Sequence, residues 1–138
     1  MNVDDVLAIQ QQVARYSYTF DSGDADGWAK VFTPDGLWEF YATGASQPAT
    51  RLDGYAALRD FCALRFSERR GGATSYHHQS GIVFDELTAD SARVRAMVII
   101  TVHVPGEQQP RLYMTGVYED RWVKTAEGWR IKHRVLRP

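Results

Sequence analysis

From Ser75 to Leu136 the chain offers four β-forming runs with almost nothing between them: Ser75 to Phe84, Ala92 to Val104, Arg111 to Lys124 and Gly128 to Leu136. The breaks, at Glu86 to Asp90, Pro105 to Pro110 and Thr125 to Gly128, are short and rich in turn formers, as hairpins require. Nearly half of the molecule is thereby committed to a long antiparallel meander. What precedes it has a different period. Val6, Ile9, Val13, Tyr16/Ser17 and Phe20 recur at helical spacing, with Asp4 and Asp5 suited to the start and Gly23 to the end. A short second helix is expected from Asp24 or Asp26 through Trp28, Val31 and Phe32, stopped by Pro34. Gly36 to Tyr41 reads as a strand and Ala42 to Leu52 as a loop. Asp53-Gly54 then opens a third helix to about Phe66. Helices first and strands after them is an α+β order.

At 138 residues the chain is the size of one domain, residues 1–138, with no repeat, linker or low-complexity stretch to divide it. Sixteen Lys plus Arg against seventeen Asp plus Glu leave a formal charge of -1, which gives no footprint for a phosphate backbone. Nucleic acid is therefore not an expected ligand. The start Met1-Asn2-Val3-Asp4-Asp5 is acidic where a secretory leader is basic, and no apolar run reaches the roughly 18 residues of a membrane span. A cytoplasmic protein with no membrane partner is the expectation. Cys62 stands alone within the apolar pattern Leu58, Phe61, Cys62, Phe66 and reads as a small core residue. His77, His78, His103 and His133 lack metal-site spacings, and two adjacent strand histidines cannot both face one ion. There is no phosphate loop and no nucleophile elbow. Neither metal nor cofactor is expected.

His77 opens the first long strand and is the candidate acid–base group. Its candidate partner is Asp21, at the end of the first helix. Brought together in one pocket, the carboxylate would fix the imidazole's tautomer and leave the other ring nitrogen as a base. The alternative is a half-buried strand histidine satisfied by a backbone carbonyl. The four Trp, seven Tyr and six Phe exceed what a core of this size needs, so some are expected to line a cavity for an apolar ligand. On the second long strand Met97, Ile99, Thr101 and His103 share one face, and Val98, Ile100, Val102 and Val104 the other. With the first set facing inward, His103 becomes a second pocket imidazole. Trp122 and Val123 are assigned to the exposed face of the sheet.

Several short motifs in fixed order carry a family resemblance: Arg15-Tyr16, Asp21-Ser22-Gly23-Asp24, Val31-Phe32-Thr33-Pro34-Asp35-Gly36, His77 with Gly81 four residues on, Gly116-Val117-Tyr118-Glu119-Asp120 and Gly128-Trp129-Arg130-Ile131. Together they resemble the SnoaL-like branch of the nuclear transport factor 2-like superfamily across nearly the whole chain. The resemblance implies a cone-shaped α+β barrel, with three N-terminal helices on a strongly curved, mixed or antiparallel sheet around a deep apolar pocket. It also implies a homo-oligomer, trimer or dimer.

Its dehydratase-like members are similar in placing an aspartate and a histidine where Asp21 and His77 fall. They place a tyrosine for a substrate oxygen where Tyr16 falls, and one has a second histidine near His103. The resemblance thus implies a cofactor-free acid–base enzyme, dehydratase- or isomerase-like, acting on a small, largely apolar cyclic, polyketide-like or steroid-like molecule. Catalytic roles go to Asp21, His77, Tyr16 and His103. The pocket wall goes to Trp38, Phe40, Phe61, Met97, Ile99, Thr101 and Tyr118, with Arg134 at the mouth. Ketosteroid isomerases are similar through Tyr16 and Asp21 but carry an aspartate where this chain has Phe40, and neighbouring Glu39 faces the other way. A polyketide cyclase, or a non-catalytic binding or assembly module like the small subunits of ring-hydroxylating dioxygenases, remains the alternative.

Overall fold

Asn2 starts the first helix by accepting the backbone N–H groups of Asp4 and Asp5, two of the donors that a helix start leaves unpaired. The computed structural model describes all of residues 1–138, and in it α1 runs Val3–Ser22. It stops at Gly23, whose φ of 77° suits glycine and where a Cβ would lie 2.5 Å from the Phe66 ring. Asp5 does more than favour the helix start. Its buried carboxylate accepts Trp129 Nε1–H at 2.8 Å and Lys124 Nζ at 2.9 Å, tying the start of the chain to its last hairpin.

Asp24 caps α2 (Ala25–Ala29) through the Gly27 N–H at 2.9 Å. The helix is shorter than the sequence suggests, and Phe32 belongs to the following strand, β1 (Phe32–Phe40). Pro34 is tolerated inside β1 because the ladder is irregular between Phe32 and Leu37. The expected loop from Ala42 to Leu52 ends in a short strand, β2 (Thr50–Asp53), antiparallel to β1. Then come α3 (Tyr55–Ser67), β3 (Thr74–Leu87), β4 (Ser91–His103), β5 (Arg111–Thr125) and β6 (Gly128–Arg137).

The six strands form one mixed sheet in the order β2-β1-β6-β5-β4-β3, with β1 and β6 parallel and the other pairs antiparallel. This sheet is curved and open rather than a closed barrel. The helices complete the cone: α1 lies against β3, and α3 against β1 and β2. Ile9, Val13 and Tyr16 from α1 and Leu58 and Cys62 from α3 meet Val94, Val98, Trp122 and Ile131 from the sheet in one core. Burying each large apolar side chain contributes about 1.5–3 kcal/mol relative to exposure. Trp122 is 1% exposed and belongs to this core, which corrects its assignment to the outer face.

Along β3, three residue steps from Ser80 to Val83 oppose two steps on β4 from Met97 to Arg95. The extra residue is a bulge centred on Gly81, with φ of 60° and no room for a side chain, since a Cβ there would lie 2.3 Å from Met97 Cε. Before it, Ser75, His77 and Gln79 point inward; after it, Ile82 and Phe84 do.

Candidate active site

Asp21 sits in the last turn of α1, where it meets the start of β3. Its Oδ1 lies 2.7 Å from His77 Nδ1 and accepts Ser75 Oγ–H at 2.9 Å, while Oδ2 accepts the His77 backbone N–H at 2.8 Å. Both side chains are mostly buried, 13% exposed for Asp21 and 8% for His77. An ionised carboxylate accepts only, so Nδ1 carries the proton and the neutral ring's Nε2 is a free acceptor. Nε2 has no protein partner, and His77 lines the main cavity.

Arg69 braces this junction. It donates to the backbone carbonyl of Asp21 at 2.5 Å and to Ser75 Oγ at 2.7 Å, and its guanidinium lies over the Phe66 ring. The end of α1, the loop after α3 and the start of β3 are thus held by one side chain. Ser75 was detectable from the sequence, because it precedes His77 by two residues and shares its face. Arg69 carried no such signal. Its loop reads as solvated until the helix end that it caps is placed beside it.

The cavity holds about 600 Å³. Aromatic rings from every layer form its wall: Tyr16 and Phe20 of α1, Trp28 of α2, Trp38 and Phe40 of β1, and Phe61 of α3. The sheet adds Ile100, Val102, Met114, Tyr118 and Leu136. Exposed Arg65, Glu68 and Tyr113 stand at the rim. Beside the dyad, with the Tyr16 and His77 ring centroids 6.2 Å apart, Trp38 Nε1–H donates to the Tyr16 hydroxyl at 3.0 Å, and Tyr16 reaches the Tyr118 hydroxyl at 3.4 Å. Burial pushes both phenols above their ordinary range, so both remain protonated.

Three expected wall positions, and the catalytic candidate His103, require correction. Met97 and Ile99 are 54% and 47% exposed, and Thr101 and His103 share their outer face. The register explains why. His77 pairs with Ile100 and Ser75 with Val102, and directly opposed residues share a face. The inward set on β4 is therefore Val98, Ile100 and Val102, one residue out of step with the expectation. His103 is the last residue of β4, opposite Thr74 on the edge strand β3, and is exposed outside the cavity. His78 is outside too, 2.9 Å from Thr101 Oγ1.

Arg134 also departs from its expected place at the mouth. It is fully buried behind the cavity wall, with Nε and Nη2 each 2.7 Å from the Asp120 carboxylate and Nη1 3.2 Å from Gln79 Oε1. Burial would draw the guanidinium's pKa down, but Asp120 more than offsets this and keeps it above the ordinary value. Asp120 pairs with Arg134, not with Arg121 or Arg130. Phe40 and Glu39 divide as strand alternation requires: Phe40 lines the cavity, while Glu39 is buried on the other face between His133 Nε2 at 2.6 Å and Arg51 at 3.1 Å. Burial drives the Cys62 thiol up to about 11, which leaves no thiolate for nucleophilic chemistry.

A family model described as a SnoaL-like domain matches residues 1–135. The chain belongs to the SnoaL-like family. An uncharacterised protein of Mycobacterium tuberculosis is 30% identical over 134 residues, covering 96% of this chain and 84% of that one. The solved structure of a second M. tuberculosis protein of unknown function, an Asp-to-Asn variant, superposes with a TM-score of 0.81. It is 30% identical and covers 96% of this chain and 70% of its own. A candidate scytalone dehydratase from Novosphingobium aromaticivorans gives a TM-score of 0.78 at 27% identity, over 99% of this SnoaL-like chain and 85% of its own. No helix of this SnoaL-like protein is long and apolar enough to cross a membrane.

Proposed function

We propose that this SnoaL-like protein is a cofactor-free acid–base enzyme, a dehydratase-like lyase or an isomerase, acting on a small, mainly apolar cyclic molecule. The observation that carries this reading is the buried Asp21–His77 hydrogen bond whose free imidazole nitrogen belongs to an aromatic cavity. Likeness to a candidate scytalone dehydratase supports the same direction. In the reaction, His77 Nε2 takes a proton from carbon beside a carbonyl, and the electron pair moves to the carbonyl oxygen as an enolate. The imidazolium then returns the proton, either to a departing β-hydroxyl, which leaves as water, or to another carbon. Asp21 stabilises the charged ring throughout. A positioned proton transfer of this kind contributes about 10²- to 10⁴-fold.

The test needs no knowledge of the natural substrate. In D₂O the protein should exchange the carbon-bound protons beside the carbonyl of 2-tetralone faster than buffer, as read by proton NMR, and His77→Gln should fall to the buffer rate. Binding of 2-tetralone without exchange in the wild-type protein would favour a ligand-binding module instead.

We also propose that the chain self-associates through the outer face of the sheet. Tyr76, Val83, Met97, Ile99 and Leu112 are large apolar side chains left 46–68% exposed there, a surface better explained as an interface than as solvent-facing wall. Sedimentation should show a dimer or trimer at micromolar concentration, and Ile99→Asp should shift it to monomer. A wild-type monomer at that concentration removes the proposal.

A further inference from the structure

The polar end of the cavity has a hydrogen-bond inventory that does not balance. An indole N–H can only donate, so Trp38 makes the Tyr16 oxygen an acceptor at 3.0 Å. Tyr16 spends its own proton on the Tyr118 hydroxyl at 3.4 Å. The Tyr118 proton then has no acceptor on the protein, although its side chain is 1% exposed and lines the cavity. Beneath both rings lies the Arg134 guanidinium, 4.2 Å from the Tyr16 centroid and 3.9 Å from that of Tyr118. We infer that Tyr118, not Tyr16, is the hydroxyl that hydrogen-bonds the ligand, and that the ligand presents one phenolate or enolate oxygen to it at an otherwise apolar ring system.

Three features favour an oxyanion there. Burial keeps Tyr118 protonated, so it meets the ligand as a donor. A chain of donors pointing one way, Trp38 to Tyr16 to Tyr118, polarises its last member. The pull of the buried cation beneath the rings strengthens as charge develops on the oxygen. This rests on the reading of the cavity as an acid–base site, where an enolate oxygen needs a donor at the moment the proton leaves carbon. Tyr16 becomes a relay and positioning residue, and Tyr118 the contact.

The experiment is a binding titration with 4-nitrophenolate, read by its absorbance, beside nitrobenzene as the ring without the anionic oxygen. Tyr118→Phe keeps the ring over Arg134 and should weaken 4-nitrophenolate about tenfold or more, the contribution of one hydrogen bond to a charged group, leaving nitrobenzene unchanged. Tyr16→Phe should cost less, because Tyr118 still donates. In the wild-type protein the Trp38 indole proton should move downfield on adding 4-nitrophenolate. Equal binding by Tyr118→Phe and wild type, a larger loss in Tyr16→Phe, or an unmoved Trp38 proton would each overturn the inference. Binding of 4-nitrophenolate involves no proton transfer from carbon. Failure of proton exchange and failure of the Tyr118 contact are therefore separate results.

Discussion

Asp21→Asn should leave the protein folded and able to bind 2-tetralone within a few fold, while cutting proton exchange by about 10²- to 10⁴-fold. Geometry sets the direction of the effect. The asparagine oxygen is required by the His77 backbone N–H, which Asp21 Oδ2 now accepts at 2.8 Å. Its NH₂ is then turned toward Nδ1 of the same histidine. Two donors cannot face each other, so Nδ1 becomes the acceptor and the ring proton moves to Nε2, the nitrogen that belongs to the cavity. The base is blocked by its own proton, and the stabilising negative charge is gone as well. Apolar walls supply most of the binding, which is why affinity persists. Exchange by Asp21→Asn at the wild-type rate would remove Asp21 from the mechanism. A pH–rate profile adds a second check, since a limb present in the wild-type protein should vanish in His77→Gln.

Arg134→Met should be the most destabilising single change, about 3–5 kcal/mol by chemical denaturation, because it strands the Asp120 carboxylate where no water can reach. Asp120 would keep only the Trp122 Nε1–H at 3.2 Å. Two tyrosine rings also lose the cation packed against them. The paired change Asp120→Leu with Arg134→Met should recover much of that loss, since removing both charges removes the desolvation problem together with the bond that solves it. If the double variant is no more stable than the single one, the pair is not the reason Arg134 matters.

The sequence made the order of elements legible, because helical and strand periods do not mimic each other and the last four strands are separated by short polar breaks, the middle one bounded by Pro105 and Pro110. The two inner carboxylates were another matter. Asp21 stood out through its partner's place at a strand start and through family resemblance. Asp120 read as a structural partner of Arg130 or Arg121, since its actual partner Arg134 lies on the neighbouring strand and only the register brings them together. The inward face of β4 was misjudged at its far end, where Met97, Ile99, Val98 and Ile100 are apolar on both sides. The signal lay earlier in the same strand. Arg93 and Arg95 face solvent, so Ala92, Val94 and every second residue after them must face the core. Strand β2 was hidden because four residues with exposed alternate positions carry too little pattern to be read without β1 beside them.

The bulge at Gly81 sets the phase of β3. Ser75, His77 and Gln79 look inward ahead of it and Ile82 and Phe84 just behind it, so Phe84 can anchor β3 in the core while His77 holds the near end in the cavity. A strand of unbroken pleat could satisfy only one of these. Deleting that one glycine would force a choice between a seated anchor and an imidazole on the wrong side of the sheet. Which face of the sheet bears the His77 imidazole is thus decided four residues away from it, by a residue that has no side chain.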